Sequence, residues 1–179
     1  MADHNTHLPP LGSDFVFTVS SSALIDAPRE KVWSILLDFL SYKEWNTFAR
    51  SFTITDASGN PLPDQTPAEG KYMAIKVNMP PKLGEPGWFG SSSAFVTIST
   101  LDPENYRAAW KTTGIPYFIL HTERWQALSV DEATGKTKYE NIEAFGGLAA
   151  YLVWLFVGTK LKVGFAATAE CLKKRAEEK

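Results

Sequence analysis

The sequence is poor in the features that announce several common functions. It has one cysteine, Cys171. No internal disulfide can form, so a reducing compartment, the cytoplasm, is the expected location. The histidines are His4, His7 and His121. The first two lie in the polar N-terminal stretch without partner cysteines, so no metal site is expected. Gly84, Gly87 and Gly90 lack the following Lys-Ser/Thr and helix start of a phosphate loop. No Gly-x-Ser-x-Gly elbow of a serine hydrolase occurs. The expected cofactor complement is therefore none. No basic block is longer than Lys173-Lys174-Arg175, and 18 Lys+Arg against 20 Asp+Glu leave a net charge of −2. Phosphate neutralisation has little to work with, so no nucleic-acid partner is expected. The most apolar run, 145–157, is short of the roughly 20 residues a membrane span needs. It reads as a helix buried against a core, with no integral membrane segment. The first residues also lack the apolar stretch of a signal peptide.

What is present is a substantial apolar inventory: 44% hydrophobic and 13% aromatic residues in a chain of 179. A chain of that length buries roughly 70% of the surface its unfolded state exposes. The expectation is a flexible tail over 1–13 and one domain over 14–179. Phe15–Val19 through Leu24-Ile25 reads as a strand from its β-branched and aromatic residues. Pro28 suits the first turn of a helix, and Val32, Ile35, Leu36 and Phe39 follow at helical spacing. Strand patterns come next over 52–55, 71–79, 94–101, 106–112, 119–130 and 136–145. Gly146-Gly147 break the last of them. A helical pattern of about 30 residues then runs from Leu148, with Trp154, Leu161, Phe165, Thr168 and Leu172 along one stripe, widened by Leu148, Leu152 and Leu155. Strands followed by a helix predict an α+β fold, an antiparallel sheet wrapped around the long C-terminal helix.

Several segments resemble the START-like (SRPBCC) superfamily and its polyketide cyclase/dehydrase branch. They are Ile25-Asp26-Ala27-Pro28-Arg29-Glu30-Lys31-Val32-Trp33 with Trp45 downstream, Leu101-Asp102-Pro103 leading to Tyr106 and Trp110, Thr137 to Gly147, and the closing helix with Gly164-Phe165 and Leu172-Lys173. The match covers 15–177. It implies a helix-grip fold with a pocket between a curved sheet and the long helix. It carries over no catalytic set, because a shared fold supports many chemistries.

Candidate site residues follow from strand alternation. His121, Glu123 and Trp125 share one strand face. If Trp125 points inward, as the resemblance implies, a histidine and an acid face the pocket and are the catalytic candidates for proton transfer. The alternative is that both face solvent or form a structural bridge. Tyr139, Asn141 and Glu143 share a face of the last strand and would orient a ligand; alternatively Glu143 supports the start of the helix. Met73, Ile75, Val77, Trp110, Trp154 and Leu161 are expected as pocket wall. Trp88 and Phe89, in the long loop 78–93, are a gate over the pocket, an apolar tip for a membrane or partner, or core packing. The expected partner is a small hydrophobic molecule. The expected function is binding it and, by holding a reactive conformer, promoting cyclisation or dehydration. The alternative is a non-catalytic carrier of a lipid or similar hydrophobe. Whether the chain is an enzyme stays open at this point.

Overall fold

The computed structural model describes residues 7–84 and 90–178. Trp88 and Phe89 lie outside the described residues, so the expectations for them are not addressed further. The β-branched and aromatic residues of Phe15–Ile25 form β1. Pro28 precedes α1 (Arg29–Leu37), whose Val32 and Leu36 are buried one turn apart. A short 3-10 turn and α2 (Tyr42–Trp45) follow. Six strands come next: β2 (Ala49–Thr55), β3 (Tyr72–Asn78), β4 (Ser91–Asp102), β5 (Arg107–Thr112), β6 (His121–Val130) and β7 (Thr137–Gly146). With β1 they form one seven-stranded antiparallel sheet in the order β1-β7-β6-β5-β4-β3-β2. Register irregularities at Phe15/Phe17, Ala49/Ser51 and Ile98/Thr100 mark bulges. Bulges bend strands and strengthen twist, which lets a sheet of this length curl around a helix.

The helical region differs from expectation. One 30-residue helix is replaced by α3 (Ala150–Phe156) and α4 (Gly158–Glu177), bent by 76° at the junction. The cause is local. Val157 leaves helical geometry (φ −122°, ψ −21°), and Gly158 follows it. Leu161, Phe165, Thr168 and Leu172 are buried along α4 as the 3-4 spacing requires. The bend takes α3 off that stripe, so Leu148, Leu152, Trp154 and Leu155 are exposed instead. The apolar run 145–157 is therefore only partly buried.

Two clusters make up the core. Ile25, Val32, Leu36, Leu128, Tyr139 and Leu172 pack solidly between α1, the sheet and the C-terminal half of α4. The larger cluster, including Phe48, Phe52, Trp110, Phe145 and Phe165, gathers around the N-terminal half of α4. There the helix stands off the sheet and a cavity remains. The turn that leads from β7 to α3 depends on Gly147. It sits at φ +87°, and a Cβ there would lie 2.7 Å from the Ile119 carbonyl oxygen.

Candidate functional site

The cavity encloses about 650 Å³, in the range of ordinary small-molecule pockets. Its walls are mostly apolar. Ile75 and Val77 come from β3, Trp110 from β5, Phe145 from β7, and Leu161 and Phe165 from α4. Phe48 closes the side next to the helix, where Gly164 lets the ring approach. Val153 and Val157 line the part nearest α3. Of the wall residues expected from sequence, Ile75, Val77, Trp110 and Leu161 line the cavity. Met73 is fully buried in the surrounding core. Trp154 is carried outward by the bend before α4 and is 59% exposed.

Ser92, Ser93, Thr112 and Thr113 add hydroxyls from β4 and the end of β5, and the charged groups of the lining stand where β6 and β7 run side by side. Thr122 and Arg124 point inward from β6, and Glu143 from β7 directly opposite Arg124. Arg124 is 5% exposed. Its guanidinium lies 4.3 Å from the Phe165 ring centroid and 5.7 Å from that of Trp110, a placement in which the ring faces attract the cation. Its Nε donates to Asn141 Oδ1 at 3.1 Å, and Asn141 Nδ2 donates to Ser21 Oγ at 3.4 Å. The arginine is thus held by an asparagine that is itself fully buried. Beyond it Tyr139 donates to Gln126 Oε1 at 2.6 Å, and burial pushes the Tyr139 phenol up to about 12. Thr122 Oγ1 and Thr112 Oγ1 are 2.7 Å apart.

Glu143 is half-buried and lines the cavity. Burial raises its pKa above the ordinary value. Arg124 nearby and the Thr122 hydroxyl oppose that rise without cancelling it. Desolvation therefore outweighs the local attractions, and the carboxyl holds its proton to higher pH than a surface glutamate. Two ionisable groups at one end of an apolar chamber are costly to bury. Such perturbed groups mark candidate sites of proton transfer.

The expectation that His121, Glu123 and Trp125 face this chamber is not met. They lie on the opposite face of β6. Trp125 Nε1 donates to Glu123 Oε1 at 2.6 Å, and Lys111 Nζ lies 3.6 Å from Glu123 Oε2. The physical reason is register. Directly opposed residues of two antiparallel strands share a face, and β6 pairs with β7 through Arg124↔Glu143 and Trp125↔Ile142. With Tyr139, Asn141 and Glu143 pointing inward, the inward residues of β6 must be Thr122, Arg124, Gln126 and Leu128. His121 instead fastens the loop before β6. Its Nδ1 is 2.8 Å from the Tyr117 carbonyl oxygen, its ring stacks on Tyr117, and its Nε2 lies 3.5 Å from Asp14 Oδ2. Asp14 also accepts a hydrogen bond from the Tyr117 hydroxyl. Glu143, taken from sequence as either a ligand contact or a support for the helix start, lines the cavity. Arg124 was missed because alternation alone does not say which face of a strand is inner.

Comparison with known proteins agrees with this architecture. The model of the family described as polyketide cyclase / dehydrase and lipid transport matches residues 16–177. The chain is 27% identical to oxopyrrolidines biosynthesis cluster protein O of Penicillium oxalicum, over 90% of this chain and 83% of that one. Its fold is similar to that of a START superfamily protein from Mycobacterium smegmatis, with a TM-score of 0.57 at 16% identity, covering 89% of this chain and 97% of that one. It is also similar to the Zhui aromatase/cyclase from Streptomyces sp. R1128, with a TM-score of 0.61 at 14% identity, covering 90% and 93%. An antiparallel seven-stranded sheet curled around a C-terminal helix, together with a family match over nearly the whole chain, places this protein in the polyketide cyclase/dehydrase and lipid transport family, with the START-like helix-grip fold.

Proposed function

We propose that the cavity takes a small, mainly hydrophobic molecule bearing a carbonyl group, and that Glu143 and Arg124 promote its cyclisation or dehydration by proton transfer. The observation that carries this reading is a carboxyl of raised pKa standing opposite a fixed guanidinium in the wall of a mostly apolar cavity. Glu143 as carboxylate removes a proton from the carbon next to the carbonyl. The C–H electron pair moves into an enolate, whose oxygen is stabilised by Arg124. Glu143, now protonated, then returns that proton to a β-hydroxyl, which leaves as water while the enolate pair forms the carbon–carbon double bond. The net change is loss of one water, and no oxidant or reductant enters. A carboxyl with a raised pKa suits both halves of the exchange, and a positively charged donor aimed at the developing oxyanion lowers the barrier. The apolar walls fold a flexible chain into a reactive conformer, which removes entropy from the barrier. The aromatase/cyclase name of the Streptomyces protein and the biosynthesis-cluster name of the Penicillium protein support this reading.

The test uses a synthetic aryl β-hydroxy ketone, followed by growth of the enone absorbance, with binding measured in parallel by native mass spectrometry. Glu143→Gln should lower turnover by roughly 10²–10⁴-fold while binding persists. A wild-type protein that binds the ketone without accelerating loss of water would overturn the catalytic reading and leave carriage of a hydrophobic ligand as the function.

A further inference from the structure

A helix that is apolar all round is normally buried; α3 is not. It has the sequence Ala-Tyr-Leu-Val-Trp-Leu-Phe, without a charged residue. Its core-facing side is Ala150, Val153 and, just beyond it, Val157. Tyr151, Leu152, Trp154, Leu155 and Phe156 are exposed, Leu155 by 65% and Phe156 by 69%. The loop before β6 adds Ile115, Tyr117, Phe118 and Ile119, with Phe118 67% exposed. The two segments form one surface. Leu148 N donates to the Phe118 carbonyl at 3.0 Å and Ala149 N to the Ile119 carbonyl at 2.8 Å. The His121–Tyr117–Asp14 cluster fastens the loop from the other side. The outward presentation of these side chains is thus built in. A patch of this kind marks an interaction site.

What covers it is indicated by charge and by place. The segment 112–120 has no charged residue, and 144–169 has only Lys160 and Lys162, both exposed near the start of α4. The acid beside the loop, Asp14, is engaged by Tyr117 and His121. A symmetric contact between two copies would bring the same patch onto itself and set these lysines against each other with no acid between them. A surface with tryptophan and tyrosine among aliphatic side chains, flanked by lysines, matches the boundary layer of an anionic bilayer. The 76° bend lets α3 lie along such a surface while α4 runs into the domain. Among the described residues no single helix is long and apolar enough to cross a membrane. The patch also adjoins the cavity, since Ile115, Val153 and Val157 line it.

We infer that α3 and the 115–119 loop dock the protein on an anionic lipid surface, with the cavity opening toward the lipid. A hydrophobic ligand would then enter or leave without crossing water.

The experiment is co-sedimentation of the full chain with vesicles of phosphatidylcholine alone and of phosphatidylcholine with about one-third phosphatidylserine. The wild type should sediment with the anionic vesicles and dissociate as salt is raised. Trp154→Glu with Leu155→Glu should weaken binding by roughly tenfold or more, because charges replace inserted apolar groups. Lys160→Gln with Lys162→Gln should weaken it by roughly 30-fold, at about fivefold per lysine near an anionic surface. These positions are exposed, so thermal melting should not fall; if the glutamate pair does not fold, the lysine pair decides alone. Glu143→Gln should bind vesicles like the wild type, so failure of the catalytic reading leaves this one standing. Wild-type protein that stays in solution with both vesicle types, or binds both equally, overturns the inference. A dimer that the glutamate pair dissolves would assign the face to a second copy instead and overturn it as well.

Discussion

Gly164 offers a way to alter the cavity without touching its polar end. It is buried on α4, and a Cβ there would meet the Phe48 ring at 2.4 Å from both Cδ2 and Cε2. No real Cβ sits that close, so in Gly164→Ala the ring must move. The backbone of Phe48 cannot follow. Its N–H donates to Asn46 Oδ1 at 3.0 Å and its carbonyl accepts from Asn78 N at 2.8 Å. The ring is itself buried, and the nearest space it can turn into is the cavity at whose wall it stands. Two energies compete. Alanine is favoured over glycine in a helix interior by ~1 kcal/mol. Overpacking a filled core costs ~1–3 kcal/mol. Because the ring can swing into empty space, the overpacking term should fall in the lower half of that range. The net loss is then roughly 0–1 kcal/mol, or a fall in Tm of at most about 4 °C for a chain of this size. The larger effect is on capacity, since the ring now occupies ligand volume. Thermal unfolding by circular dichroism and native mass spectrometry with an aryl ketone read the two effects separately. The double variant Phe48→Leu with Gly164→Ala should recover binding by removing the intruding ring. A single variant that melts higher than wild type and binds equally well would show that Phe48 does not wall the cavity against α4.

The raised pKa of Glu143 should also be visible as a pH dependence of stability. Because its folded pKa is raised, Glu143 contributes most below its ordinary value of 4.5, and that contribution is lost as pH rises through the folded pKa. The stability of the wild type relative to Glu143→Gln should therefore decline with rising pH, with a slope no steeper than ~1.4 kcal/mol per pH unit, and then level off. Parallel denaturant midpoints for the two proteins at every pH would show an unperturbed carboxyl. His121→Ala should leave ligand affinity and turnover unchanged, since the imidazole lies on the face away from the cavity. It should cost about 1–2 kcal/mol in urea unfolding through loss of the stacked, hydrogen-bonded clasp to Tyr117. A loss of turnover in that variant would restore His121 as a catalytic candidate.

The fold was readable because its signals are local and repeated. Period-two strands, glycines at the end of β7 and the 3-4 stripe of α4 each name an element independently. The bend between α3 and α4 was not readable in the same way. The heptad-like stripe continues through Val157, and nothing in the composition of 148–157 distinguishes a helix that stays on the core from one that leaves it. Apolar helices usually lie in the interior, which is why the run reads as buried, whereas most of this one faces outward. Hydrophobicity states that a surface wants cover; it does not say whether the cover belongs to the same molecule.

The error on β6 has a different origin. His121-Thr122-Glu123-Arg124-Trp125-Gln126 alternates two plausible sets, and aromatic bulk at Trp125 favoured the wrong one. The information that separates them lies in the hairpin. The β6–β7 connection closes with Asp131 N donating to the Lys136 carbonyl, which sets Val130 opposite Thr137. Opposed positions then always differ in parity, an even number on β6 facing an odd number on β7 and an odd number facing an even one. An inward Glu143 requires an inward Arg124, and an inward Trp125 would require an inward Ile142 with Glu143 outside. The two candidate sets drawn from the sequence therefore could not both face the cavity. The choice between them rests on which strand face is costlier to bury. Tyr139 and Asn141 satisfy their polar atoms with Gln126, Arg124 and Ser21, so the inner face holds a closed network. On the outer face Glu123 needs only Lys111 and the Trp125 indole at a partly exposed edge. A carboxyl with a surface partner settles outside, and the carboxyl with a buried guanidinium across the strand settles inside, against the cavity.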